Sequence, residues 1–208
     1  MRQQTSSADR ARVPADPVAE EDRLRAYAYG LLSRLLARPP SQALIDEVKT
    51  LSGDASDLGR AFTGLAAAAA GGDIRTIGRE YHALFIGVGR GELLPYASYY
   101  LTGFVHGKPL ASLRSAMLTL GIARDPAFKD PEDHICALMG MMAGLIGGAF
   151  GAPAALDVQR SFFTAHVAPW ATHFFADLEG AAAADFYRPV GTIGRLLMEI
   201  EETAFRMI

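Results

Sequence analysis

Cysteine and tryptophan are nearly absent from this 208-residue chain: Cys136 and Trp170 are the only ones. A single cysteine closes no internal disulfide and builds no cysteine-based zinc site, which fits a reducing compartment. Basic runs are missing too. The 20 Lys and Arg against 23 Asp and Glu leave a net charge of −3. That balance lacks the basic footprint of a nucleic-acid binder, so no nucleic-acid partner is expected. No apolar h-region opens the chain either. Met1 to Glu20 is polar and carries Pro14 and Pro17, so residues 1–19 read as a disordered tail and residues 20–208 as the folded domain.

Half of the residues are apolar and 21% are charged, a composition that folds around one sizeable core. From Ile135 to Leu156 there is no charged residue, a length that alone would flag a membrane span. Interrupting glycines, Pro153 and the lack of flanking Lys or Arg clusters argue instead for a buried helix and no stable membrane insertion. Gly140, Gly144 and Gly148 form a small-residue ridge that lets another helix approach closely.

The pattern is helical almost throughout and predicts an all-α domain of about nine or ten helices. Leu24, Tyr27, Leu31, Leu32, Leu35 and Leu36 form one apolar face, stopped by Pro39-Pro40. Ser41 caps a helix over about 42–51, Ser56 opens one ending at Gly71-Gly72, and Asp73 caps one through Phe85. Residues 87–109, dense in glycine and aromatics, read as a long loop and a candidate hinge between two lobes. Helices resume after Pro109, at Pro131, at Asp157, at Pro169-Trp170 and over 186–205.

Chemistry-bearing motifs are few. Gly87, Gly89 and Gly91 follow a helix and lack both a preceding strand and a Gly-Lys-Ser/Thr run, so they read as a turn rather than a phosphate cradle. The five histidines, His82, His106, His134, His166 and His173, show no His-x-x-x-His spacing. No serine sits in a nucleophile elbow. Neither catalytic residues nor metal ligands are expected. The run Asp130-Pro131-Glu132-Asp133-His134 is the most informative. It fits a helix cap, with Asp130 as N-cap and Pro131 at the first helical position. Its other readings are a metal or acid/base site, weakened because adjacent helical residues point about a hundred degrees apart and Asp133 and His134 form no ready-made dyad, and an acidic pocket for a basic partner.

Five blocks in order carry a resemblance. They are Glu80-Tyr81-His82-Ala83-Leu84-Phe85-Ile86-Gly87, Pro95-Tyr96-Ala97-Ser98-Tyr99-Tyr100, Asp130 to His134, Phe162 to Trp170, and Phe186-Tyr187. Together they resemble the TorD/DmsD family of cytoplasmic redox-enzyme maturation chaperones, with the NarJ proteins as more distant relatives. The resemblance implies an all-helical fold, no catalysis, and a cytoplasmic location. It implies as partners a twin-arginine leader and the apo-form of a molybdoenzyme, of the dimethyl sulfoxide or trimethylamine oxide reductase type or the formate dehydrogenase type. The precursor is held until molybdopterin is inserted. No cofactor of the chaperone's own is expected, although the family extends to guanine nucleotide (GTP) binding in some members, and to a monomer or a domain-swapped dimer.

The leader-binding patch it implies comprises Pro95, Tyr96, Ser98, Tyr99, Tyr100, Glu132, Asp133 and His134. Arginine pairs best with a carboxylate in fork geometry, which singles out Asp133 and Glu132. An apolar groove is expected from Leu93, Leu94 and Phe104 beside the tyrosines. Several relatives carry Trp in place of Tyr96 and Gly-Pro in place of Gly87-Val88, which leaves the client open. The rival readings are a GTP-binding or metal-assisted hydrolase, and a structural subunit that buries its glycine ridge against a permanent partner.

Overall fold

A computed structural model describes residues 19–126 and 128–207. Except for Ala19, the tail expected over residues 1–19 lies outside them. The described residues are all-α. Helices α1 (Glu20–Ala37), α2 (Gln42–Lys49), α3 (Asp57–Gly71) and α4 (Ile74–Tyr81) make the first half, α4 ending in a π turn, His82–Ile86. Then come α5 (Ala97–Thr102), α6 (Lys108–Thr119) and α7 (Ile135–Gly147). Helix α8 (Leu156–Phe162) runs into a second π turn, Phe163–Val167, and α9 (Ala171–Gly180) and α10 (Tyr187–Arg206) close the chain.

Local signals set most helix starts. The Ser41 hydroxyl accepts from Leu44 N, Ser56 from Gly59 N, and the Asp73 carboxylate from Arg75 N and Thr76 N. Each cap satisfies a backbone donor that the helix leaves free. On α1, Tyr29, Leu32, Leu35 and Leu36 are at most 1% exposed; burying such a side chain stabilises by about 1.5–3 kcal/mol. Leu24 and Tyr27, predicted on the same face, stay exposed. The partner helix α7 ends at Gly147, opposite Ala26, so Leu24 lies past its end, while Tyr27 turns its hydroxyl to Glu47 on α2.

The small-residue ridge is used within the chain. α1 and α7 pack antiparallel, with Gly30 against Ala143 and Gly140 against Ser33, where an added Cβ would stand 3.1 Å from the hydroxyl. Ser33 Oγ donates to the Cys136 carbonyl at 2.8 Å across the same contact. Gly144 faces the Phe150 ring and Gly148 is the left-handed C-cap, φ 81°. The ridge is therefore taken up by α1 and by the turn after α7, which removes the reason for assigning it to a partner subunit. Among the described residues, no helix is long and apolar enough to cross a membrane.

Two expectations about residues 87–135 are corrected. First, the segment is not one long loop: it contains α5, and it is pinned rather than hinged. Leu93 N donates to the Leu84 carbonyl, and the Glu92 carboxylate accepts from Ala182 N and Ala183 N at 2.7 and 3.1 Å. The buried side chains form one continuous core drawn from both halves of the chain, so two lobes do not separate. Second, α7 begins at Ile135, four residues later than the Asp130 cap predicted, and its N-cap is His134.

Candidate functional site

The late start of α7 has a tertiary cause. Tyr96 pairs antiparallel with His134, the one isolated β-bridge among the described residues. Ala97 N donates to the Asp133 carbonyl at 2.9 Å, and Ile135 N donates to the Pro95 carbonyl at 2.8 Å. The two blocks singled out in the sequence, 38 positions apart from Tyr96 to His134, are thus held together by backbone. The Tyr96 ring stands edge-on to His134 at 5.1 Å, and Phe128 meets the same imidazole at 5.6 Å. The Tyr96 hydroxyl donates to Asp130 at 2.7 Å, which is the role Asp130 fills instead of capping.

His134 is 5% exposed. Its Nδ1 accepts from Cys136 N at 3.2 Å, so the neutral ring carries its proton on Nε2. Burial lowers its pKa to about 4, against the attraction of Asp130 and Asp133. It acts as a neutral wedge and cap. Cys136 beside it is also buried, and burial pushes its thiol well above the usual range, which suits an inert side chain.

The neighbouring carboxylates face different surroundings. Glu132, 7% exposed, accepts from Arg114 Nε and Nη2 at 3.0 and 2.8 Å, with Arg124 at 3.7 Å. Partial burial works against its charge, but the Arg114 hydrogen bonds and the two guanidinium charges outweigh it and hold the carboxyl below its usual range. It stands in the wall of a groove of about 780 Å³ between α1, α2, α7, residues 122–125 and Phe128. Asp133 is 1% exposed. Its Oδ2 accepts from Ser98 N at 2.9 Å, whereas Oδ1, also buried, finds no hydrogen-bond donor among the described residues. A buried carboxylate oxygen without a donor is costly.

Asp133 lines a second, smaller cavity of about 240 Å³ with Ala97, Leu101, Lys108, Pro109, Ser112, Leu113, Leu138, Ala165 and His166. Apart from Asp133, none of these was read from the sequence as a binding residue. They come from α5, α6, α7 and the second π turn, a convergence without a local signature. Ser98, fully buried, links the pocket to the turn beyond α5: its hydroxyl accepts from His106 N at 2.8 Å. His106 is the one described non-glycine residue with positive φ, 74°, a strained conformation held by that bond.

The other predicted contacts divide. Phe104 is 78% exposed, and Leu101 and Val105, which the sequence reading missed, are exposed with it on the same stretch. Pro95 is buried, and Leu93, Leu94, Tyr99 and Tyr100 are half-buried. Leu93 and Tyr100 pack against the core; the Tyr100 ring meets Trp170 tilted at 5.3 Å and gives its hydroxyl to Asp177 at 2.8 Å. Tyr99 accepts from Arg90 at 3.0 Å under its guanidinium. The Gly87 turn is structural: φ is 61°, and a Cβ there would collide with the Arg90 carbonyl. Among the described residues, no group of three His, Cys, Asp or Glu is placed to hold a metal ion.

Comparison with known proteins places this geometry in a family. Residues 52–176 match the nitrate reductase delta subunit family. The chain is 28% identical to the chaperone protein TorD of Vibrio cholerae over 102 residues, 46% of each chain. It is 31% identical to a probable Tat proofreading chaperone, DmsD, of Haemophilus influenzae over 121 residues, 57% of each chain. These matches span about half the length of the curated relatives. A crystal structure of a candidate redox enzyme maturation protein from Archaeoglobus fulgidus shares the fold, with a TM-score of 0.55 at 18% identity over 87% of this chain and 94% of that one. With more than half of its length inside the family match, the chain belongs to the nitrate reductase delta subunit family, with TorD and DmsD chaperones among its relatives.

Proposed function

We propose that this protein is a cytoplasmic, non-catalytic chaperone that binds the twin-arginine leader of a molybdoenzyme precursor and holds it for cofactor insertion before export. The observation that carries this reading is the Asp133 carboxylate. One of its oxygens is tied to Ser98, and the other is without a donor in the wall of a cavity next to exposed Leu101, Phe104 and Val105. An arginine side chain supplies what that oxygen lacks, a charged donor on a long apolar stem. A leader's apolar stretch matches the neighbouring exposed patch.

Within this reading the sequence-derived site residues take separate parts. Asp133 receives an arginine and Phe104 meets the apolar stretch. Pro95, Tyr96, Ser98 and His134 form the frame that sets Asp133 in place, and Glu132 is already occupied by Arg114 and Arg124. Tyr99 closes the turn before Phe104, its carbonyl accepting from Gly103 N at 2.7 Å; Leu93 and Tyr100 pack against the core, and the Leu94 carbonyl accepts from Tyr96 N at 2.9 Å. Calorimetric titration tests the reading with leader peptides of the host's molybdoenzymes, each paired with a version whose two arginines are replaced by glutamine. Saturable binding of one native leader and none of its glutamine version is expected; no binding of any native leader would sink the proposal.

A further inference from the structure

Lys108 is the first residue of α6, set there by Gly107 at positive φ (88°) and by Pro109 in the first turn. It lines the same 240 Å³ cavity as Asp133. It is exposed, and among the described residues it makes neither a hydrogen bond nor an ion pair within 4 Å. The other titratable group in the cavity wall is His166, whose pKa is lowered by burial, leaving the ring neutral near pH 7. The cavity therefore holds one anion and one cation, both unpaired. The lysine stem is flexible while the carboxylate is fixed by Ser98 N. Oδ1 is shielded from solvent although Asp133 belongs to the cavity wall. The exposed lysine in the same cavity wall is thus the chain's own candidate to meet it.

We propose that Lys108 gates the Asp133 pocket: its flexible stem swings the ammonium onto Asp133 in the free protein, an arriving arginine must displace it, and it so sets the affinity and salt dependence of leader binding. The inference rests on the reading of Asp133 as the leader's acceptor. An ammonium is a compact, strongly hydrated charge, whereas a guanidinium is more weakly hydrated and presents a planar fork of donors. Arginine therefore displaces the resident charge where a lysine in the leader would only exchange like for like. Like charges a few ångströms apart at a partly shielded site oppose each other strongly, and salt screens that opposition.

The test titrates a twin-arginine leader peptide and its lysine-pair version into the wild-type protein, Lys108→Met, Asp133→Asn and the double variant, at low and high salt. Lys108→Met is expected to tighten binding of the arginine leader by roughly five- to tenfold at low salt, with a smaller gain at high salt. It should also narrow the preference for arginine over lysine, and in the Asp133→Asn background it should change nothing. Circular dichroism melting of each variant shows whether the fold is kept. Unchanged or weaker binding by a folded Lys108→Met overturns the gate while leaving the leader reading intact. An equal gain in the Asp133→Asn background also overturns it, since the lysine would then act through general charge. Failure of the wild-type protein to bind any leader overturns both.

Discussion

The molecule treats its buried carboxylates in two ways. In the frame joining the N- and C-terminal helices, each is saturated. Glu80 accepts from three backbone donors at the start of α10, Asp185 N, Phe186 N and Tyr187 N, at 2.7–3.1 Å. Glu201 accepts from Arg25 Nε and Nη2 at 2.8 and 2.7 Å, and from the Tyr29 hydroxyl. At the junction of α5, α6 and α7, Asp133 is buried as deeply and receives one donor for two oxygens. A saturated buried carboxylate is a strut, and its loss is felt as stability. A half-saturated one at a cavity wall keeps an acceptor in reserve, and its loss should be felt as affinity.

The largest expected effect lies in the frame. Glu201→Ala leaves Arg25 half-buried without its bidentate partner and should lower unfolding stability by about 3 kcal/mol. Leader affinity should not change in the fraction that stays folded. Urea denaturation followed by titration below the transition measures both, and a selective loss of affinity would break the division between strut and site.

Acid sharpens the same comparison on the pocket side. The folded pKa of His134, about 4, lies below the ordinary histidine value of 6.5. The unfolded chain therefore takes up the proton first as pH falls. Above 6.5 the group costs nothing; between 6.5 and about 4 stability falls progressively, and below 4 its contribution levels off. The full loss is on the order of 3 kcal/mol. His134→Asn keeps a capping side chain without the titration, so denaturation curves for the two proteins should diverge over that range. Parallel curves would place the ring in solvent instead.

How much of this was legible in the sequence follows from the range of the interactions. The starts of α2, α3 and α4 were legible because Ser41, Ser56 and Asp73 cap within three residues of themselves. The Asp130-Pro131 cap was legible by the same rule and failed, because the bonds from Ala97 N and Ile135 N draw residues 133–135 into pairing with 95–97. The pairing of the two motif blocks came from family resemblance; nothing local announced it. The opposite fates of Glu132 and Asp133 depend on Arg114, Arg124 and Ser98, which come from other elements, as does the cavity lining.

A smaller effect is expected at the exposed patch. Phe104→Ser removes apolar area that touches solvent in the free protein. It should weaken leader binding by several-fold while moving stability by less than about 0.5 kcal/mol. An unchanged affinity would detach the apolar part of the leader from this turn.

The central claim is tested most directly by Asp133→Asn. The asparagine carbonyl can keep the bond from Ser98 N, and its amide turns the reserved acceptor into a donor. Asp133→Ala removes both and is expected to cost stability as well. Calorimetry on the folded asparagine variant should show leader affinity reduced at least about tenfold, corresponding to the loss of one charged hydrogen bond, with a melting temperature close to the wild-type value. Binding equal to wild type would contradict the account.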